Sequence, residues 1–128
     1  MRTLIDLLLP ATCPVCGRAG PSPCPACAAD LPRPPSLPPP PGIDACHAIT
    51  AYDEGGRALV GALKFRNSRG AVPWCAAQLA QLGDRHALDA ATWLPTTPER
   101  RRRRGLDQAE VLARAVASEL RLPCIRLL

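Results

Sequence analysis

Cys13-Pro-Val-Cys16-Gly-Arg-Ala-Gly-Pro-Ser-Pro-Cys24-Pro-Ala-Cys27 holds four of the seven cysteines of this 128-residue chain in two tight pairs. The spacing is C-x2-C-x7-C-x2-C. Each pair supplies two adjacent corners of a tetrahedron, so Cys13, Cys16, Cys24 and Cys27 form a ligand set for one structural zinc ion. Such a four-cysteine site is closed. It keeps no position for water, so it is expected to be scaffold rather than catalyst. It would hold together a module too small to fold on apolar burial alone. Gly17 is placed for the positive φ that a Cys-x-x-Cys knuckle needs. The alternatives are inert cysteines and a redox pair.

Working outward, residues 3–9 (Thr-Leu-Ile-Asp-Leu-Leu-Leu) have room for two helical turns before Pro10. The apolar stretch is too short and too broken by Asp6 for a signal peptide, and no segment reaches membrane-spanning length. A cytoplasmic protein with no membrane insertion is expected. In that reducing setting paired cysteines are metal ligands more often than disulfides. Residues 32–42 (Pro-Arg-Pro-Pro-Ser-Leu-Pro-Pro-Pro-Pro-Gly) exclude helix and read as a semi-rigid polyproline spacer. The organisation expected is a short helix and zinc ribbon over 1–31, a Pro-rich linker over 32–42, and a second region over 43–128.

In that second region, Cys46 to Tyr52 reads as a strand and Asp53-Glu-Gly-Gly56 as a turn. Residues 57–66 read as a helix with Leu59, Ala62 and Leu63 on its apolar face. Asn67 to Gly70 breaks the chain, and 71–82 resumes a helix with Val72, Cys75, Leu79 and Leu82 as its stripe. Ala90 to Leu94 reads as a short buried strand ended by Pro95, and 95–106 as a loop. Residues 107–121 read as a helix, and Cys124 to Leu128 as the next strand. Strand, helix, strand opens a parallel α/β sheet. Such a sheet wants more strands than 43–128 supply, so a truncated product or a fragment is expected. Cys75 and Cys124 are expected in the core. Cys46-His47 could be a further ligand pair, and His86 a surface residue.

Five consecutive arginines, Arg100 to Arg104, lead through Gly105 into a helix start. Asp107 and Glu110 stand in capping-box relation, with Leu106 and Val111 placed to staple and Ala109, Leu112, Ala113, Val116 and Leu120 forming the buried face. The formal net charge is +5. Four thiolates on Zn²⁺ bring a metallated chain nearer +3, so the surplus is largely this run, a local basic site. Arginines crowded against the positive end of a helix dipole repel one another, and an anion there would relieve the cost. Arg100, Arg101, Arg102, Arg103, Arg104, Gly105 and Gln108 are the candidate anion or pyrophosphate site, with Lys64 as a second candidate. The alternative is a solvated basic loop. There is no P-loop and no Gly-rich dinucleotide fingerprint. No interleaved aromatics and no long basic recognition helix mark a nucleic-acid motif either.

The order of segments resembles the ComF family, phosphoribosyltransferase-like proteins linked to competence and DNA uptake. The resemblance rests on the segment from Leu4 to Cys27, on Tyr52-Asp53 and Leu63-Lys64-Phe65, and on Leu94-Pro95-Thr96-Thr97-Pro98 followed by Arg104-Gly105-Leu106-Asp107-Gln108-Ala109. It covers essentially the whole chain. It implies a small four-cysteine zinc ribbon followed by a partial α/β domain, the first half of a type I phosphoribosyltransferase-like fold. Its implied ligands are phosphoribosyl pyrophosphate, with Mg²⁺ in a full-length relative, and pyrophosphate on the arginine side. Two departures stand out: Pro-Val-Pro is here Pro95-Thr96-Thr97, and the usual Asn before Gln is Asp107. The family's acidic pair followed by Thr-Thr-Gly is absent from the 128 residues, so an inactive form is expected. A competing expectation is a zinc-ribbon module binding single-stranded DNA or a competence partner without catalysis.

Overall fold

The computed structural model describes residues 11–65 and 69–128. The helix expected over 3–9 and part of the break after Phe65 lie outside the described residues, as does the side chain of Phe65. Among the described residues five α-helices follow in order: α1 (Pro25–Asp30), α2 (Glu54–Phe65), α3 (Val72–Leu82), α4 (Pro98–Arg104) and α5 (Gln108–Leu120). Short 3-10 turns at Arg69–Ala71 and Arg85–Ala87 flank α3. The chain is thus a small Cys-rich module followed by a mostly helical region.

The core is made by α2, α3 and α5. Leu59 of α2, Ala71 at the head of α3 and Cys75 within it are buried together, with Leu31, Ile49, Leu63, Trp74 and Leu112 packed around them. The stripe expected on α2 is present, since Leu59 and Ala62 are buried. On α3 the buried positions are Cys75 and Ala76, whereas Leu82 lies exposed at the end of the helix. On α5 they are Ala117 and Leu120, and Ala109 faces solvent. Alanine and cysteine make up most of the buried positions on these faces.

Asp53 does not sit in a free turn. Its carboxylate accepts the Gly56 N–H at 2.9 Å and its carbonyl accepts the Arg57 N–H, so it caps α2 from outside. Gly56 is buried against the preceding segment, where a Cβ would run into the Ala51 carbonyl oxygen.

The expected strands reduce to one pairing. Cys46 to Tyr52 forms no strand; its contact with the segment before it is the Pro32 carbonyl, which accepts Thr50 Oγ1 at 2.7 Å and the Ala51 N–H at 3.3 Å. Pro32, Pro34 and Pro35 bring no N–H, so no ladder can propagate along that edge. Farther on, Ala91 and Cys124 form a parallel bridge, with Ala91 N–H donating to Pro123 O and Ile125 N–H to Ala91 O, both at 2.9 Å. Pro123 has no N–H to give to Asp89, so this register cannot extend toward the start of the first segment. The bridge is parallel, as the strand–helix–strand reading requires, and its connection carries α4 and α5.

The Pro-rich stretch carries neither helix nor strand, but the Cys module does not hang free of the helical region. Leu31 packs on the core, the Pro32 carbonyl holds Thr50 and Ala51, and Gly70 lies against Ser22 and Ala11.

Candidate metal centre and arginine helix

The first knuckle is a hairpin. Thr12 and Ala19 pair in an antiparallel bridge, Cys13 N–H donates to Arg18 O, and Gly17 N–H donates back to Cys13 O, both at 2.8 Å. Gly17 takes φ +74°, the left-handed conformation that closes the turn without a Cβ penalty. The second pair is built differently from the knuckle expected. Cys24 is the N-cap of α1, Pro25 fills its first turn, and Ala28 N–H donates to Cys24 O at 2.9 Å. Cys27 therefore sits one turn beyond Cys24 on the same side of the chain.

These two turns bring the Sγ atoms of Cys13, Cys16, Cys24 and Cys27 all within 4.8 Å of one another. Cys16 Sγ and Cys24 Sγ are 3.8 Å apart. That is too long for a disulfide, and all four are free thiols. It matches the separation of about 3.8 Å that two sulfurs adopt at tetrahedral corners about 2.3 Å from a shared zinc. Cys13 and Cys24 are buried, Cys27 is half-buried and Cys16 is exposed. The cluster could hold a metal ion.

The thiols perturb one another. Burial opposes ionisation of Cys13, yet backbone donors from Cys24, Cys16 and Val15 and the Cys16 side chain bring it down to about 6. Cys27 is pushed up to about 12, first by hydrogen bonding to the Cys24 thiol, then by burial and by Cys16 and Cys13. The Cys13 thiolate is favoured and the Cys27 thiolate is resisted, so a cation that collects the cluster must displace the Cys27 proton.

The arginines lie on a helix, not in the loop expected over 95–106. Thr97 Oγ1 accepts the Arg100 N–H at 3.3 Å as N-cap, Pro98 and Glu99 fill the first turn, and Gly105 at φ +79° ends α4, its N–H returning to Arg101 O. Arg101 to Arg104 occupy the last turn. There the dipole is negative and favours cations, so part of the electrostatic cost expected at a helix N-terminus is already relieved. None of the residues of α4 is buried, and Arg100 to Arg103 are exposed.

The N-terminus of α5 is also filled. The buried Asp107 carboxylate accepts Ala109 N–H through Oδ1 at 3.1 Å and Thr96 N–H through Oδ2 at 2.8 Å. The expected N-cap is present, and its carboxylate occupies the place where an anion is expected from the sequence. Glu110 does not complete a capping box. It takes Arg114 at 2.8 Å one turn on, and Arg114 also lies over the buried Trp93 ring at 5.6 Å. The Glu110–Arg114–Trp93 chain has no local sequence signature beyond the i,i+4 pair. Gln108 is half-buried with its Oε1 enclosed and unpartnered, Gly105 is the left-handed cap of α4, and Lys64 is exposed in the last turn of α2. Cys46 and His47 are exposed, and both line a shallow cavity against the Pro-rich stretch; Cys75 is buried and Cys124 half-buried. Among the described residues no helix is long and apolar enough to cross a membrane. No family model, curated protein or solved structure matches the chain.

Proposed function

We propose that this chain is a zinc-structured, phosphate-binding protein of the phosphoribosyltransferase-like kind that its resemblance to the ComF family implies. The observation that carries the reading is the convergence of four cysteine sulfurs within 4.8 Å of one another, with Cys16 and Cys24 at 3.8 Å. Zinc fits better than iron or copper as a structural ion because it is redox-silent and accepts four thiolates without a geometric demand of its own. The metal is scaffold: it fixes Leu31 and Pro32, which carry the contacts to the helical region.

The phosphate-binding part falls to Arg100–Arg103 on α4. The parallel pairing of Ala91 with Cys124 supports this assignment. It puts α4 on the connection that leaves the carboxyl end of the first segment, where α/β proteins bind anions. By the resemblance, the ligand is pyrophosphate or phosphoribosyl pyrophosphate, in the cytoplasm. The reading assigns binding and not turnover, since Asp107, the carboxylate that follows the arginine helix in sequence, is committed to two backbone N–H groups.

Metal content and ligand titration test it. The purified chain should carry one zinc per molecule, lost in Cys13→Ser and kept in Cys46→Ser. Calorimetric titration with pyrophosphate and phosphoribosyl pyrophosphate should saturate, and should weaken about tenfold or more in an Arg100→Gln/Arg103→Gln double variant. Zinc retained after loss of two cysteines, or no saturable binding, would end the proposal.

A further inference from the structure

We infer that α4 is a groove-binding element for double-stranded DNA, an inference that rests on the phosphate-binding reading above. The basis is how the arginines are distributed. Arg100, Arg101, Arg102 and Arg103 are consecutive on one regular helix and all exposed. At about 100° per residue they fan around about 300° of the helix within about 5 Å of axial rise. A single phosphoryl compound, or one strand lying along a side, meets the Arg100/Arg103 face and leaves the others in water. A ligand that uses all four must offer phosphates on both sides of the helix at once.

The shape of α4 fits that demand. No residue of α4 is buried, and Pro98 to Arg103 are all exposed, with Arg104 at its end partly covered. Its seven residues are about 10 Å long, and with side chains the helix is about 10–12 Å across. The major groove of B-form DNA is about 12 Å wide and walled by phosphates on both sides. The major groove of A-form RNA is deep and too narrow for such a helix. The element is also held for insertion. Its flanks are joined by the Thr96–Asp107 hydrogen bond, and it is capped by Thr97 and by the left-handed Gly105. Its backbone is therefore preset, which lowers the ordering cost of binding.

The test uses the full zinc-loaded chain and fluorescence anisotropy with a DNA duplex of about two helical turns, its single strand and the matching RNA duplex, over a salt series. The DNA duplex should bind tightest, with a log–log salt slope of about −3 to −4 for four neutralised phosphates. Arg→Gln at each of positions 100, 101, 102 and 103 should weaken binding by roughly fivefold to tenfold at about 0.1 M salt and reduce the slope by about 1. Circular dichroism should show unchanged folding, because these side chains bury nothing. Preference for the single strand or the RNA duplex overturns the inference, as does a loss confined to Arg100 and Arg103. Saturable pyrophosphate binding without duplex binding overturns it while leaving the phosphate-binding reading standing. Absence of binding to all of these probes sinks both.

Discussion

The Thr96 N–H donates to Asp107 Oδ2 across 2.8 Å, eleven residues apart, and so ties the start of α4 to the start of α5. The same carboxylate caps α5 through Ala109, and it is only 4 % exposed. One side chain thus closes the excursion that carries the arginines and fixes the helix that packs on the core.

Removing Asp107 should therefore cost more than an ordinary cap. Asp107→Ala leaves two N–H groups without their acceptor and should destabilise the fold by about 2–3 kcal/mol in urea unfolding. Asp107→Asn keeps one acceptor oxygen and should lose about half as much. Equal losses for both variants would mean that the hydrogen bond Asn can keep contributes nothing.

Arg121 ends α5 in the left-handed conformation at φ 56°, with its N–H and that of Leu122 returning to the last turn. A side chain there costs free energy that glycine does not. Arg121→Gly should raise stability by about 1 kcal/mol, a gain of several degrees in Tm for a domain of this size. A fall in Tm would show that the Arg121 side chain makes a compensating contact.

Gly56 has no positive φ, so its role is space. A Cβ there meets the Ala51 carbonyl oxygen, and that backbone is held in turn by Pro32. Gly56→Ala should destabilise by about 1–3 kcal/mol even though alanine is the better helix former. Gly61 lies in the same helix with nothing near its missing Cβ, so Gly61→Ala should stabilise, by about 0.5–1 kcal/mol. Thermal melts of the two variants moving in the same direction would contradict this contrast.

Cys75 lies in the core, and burial pushes its thiol up to about 11. Its thiolate is scarce at mildly alkaline pH, so it should resist a thiol reagent in the folded chain while exposed Cys46 reacts. The sign for stability follows from the same shift. The unfolded thiol ionises near its ordinary value of 9.0, so folding retains a proton and stability falls as pH rises from there towards about 11. Cys75→Ala should remove that part of the alkaline decline, read by urea unfolding across the same pH range, and leave the count of reactive thiols in the native state unchanged.

Much of the helical layout was legible locally. The spacing of Leu59, Ala62 and Leu63, the cap at Asp107 and the left-handed Gly17 are all short-range signals, and each is found where its residue type demands. The arginine helix was legible too, in Thr97-Pro98-Glu99 at its start and Gly105 at its end, a sequence of cap, first-turn proline and left-handed stop. Periodicity alone gives a loop there, because these seven residues carry no apolar stripe. Arginine's own helix propensity and the favourable dipole at the C-terminal end outweigh like-charge repulsion there.

The sequence alone determined where four sulfurs come in pairs and where helices begin and stop, because both depend on neighbours within a few residues. Only the tertiary structure decided the rest. It gathered the two pairs into one cluster, docked Leu31 and Pro32 on the helical region, and put Arg114 over Trp93. It also reduced the expected strands to the single pairing of Ala91 with Cys124. A strand exists only through the N–H and C=O groups that a distant partner presents, and here the partners lie beside prolines that have no N–H to offer.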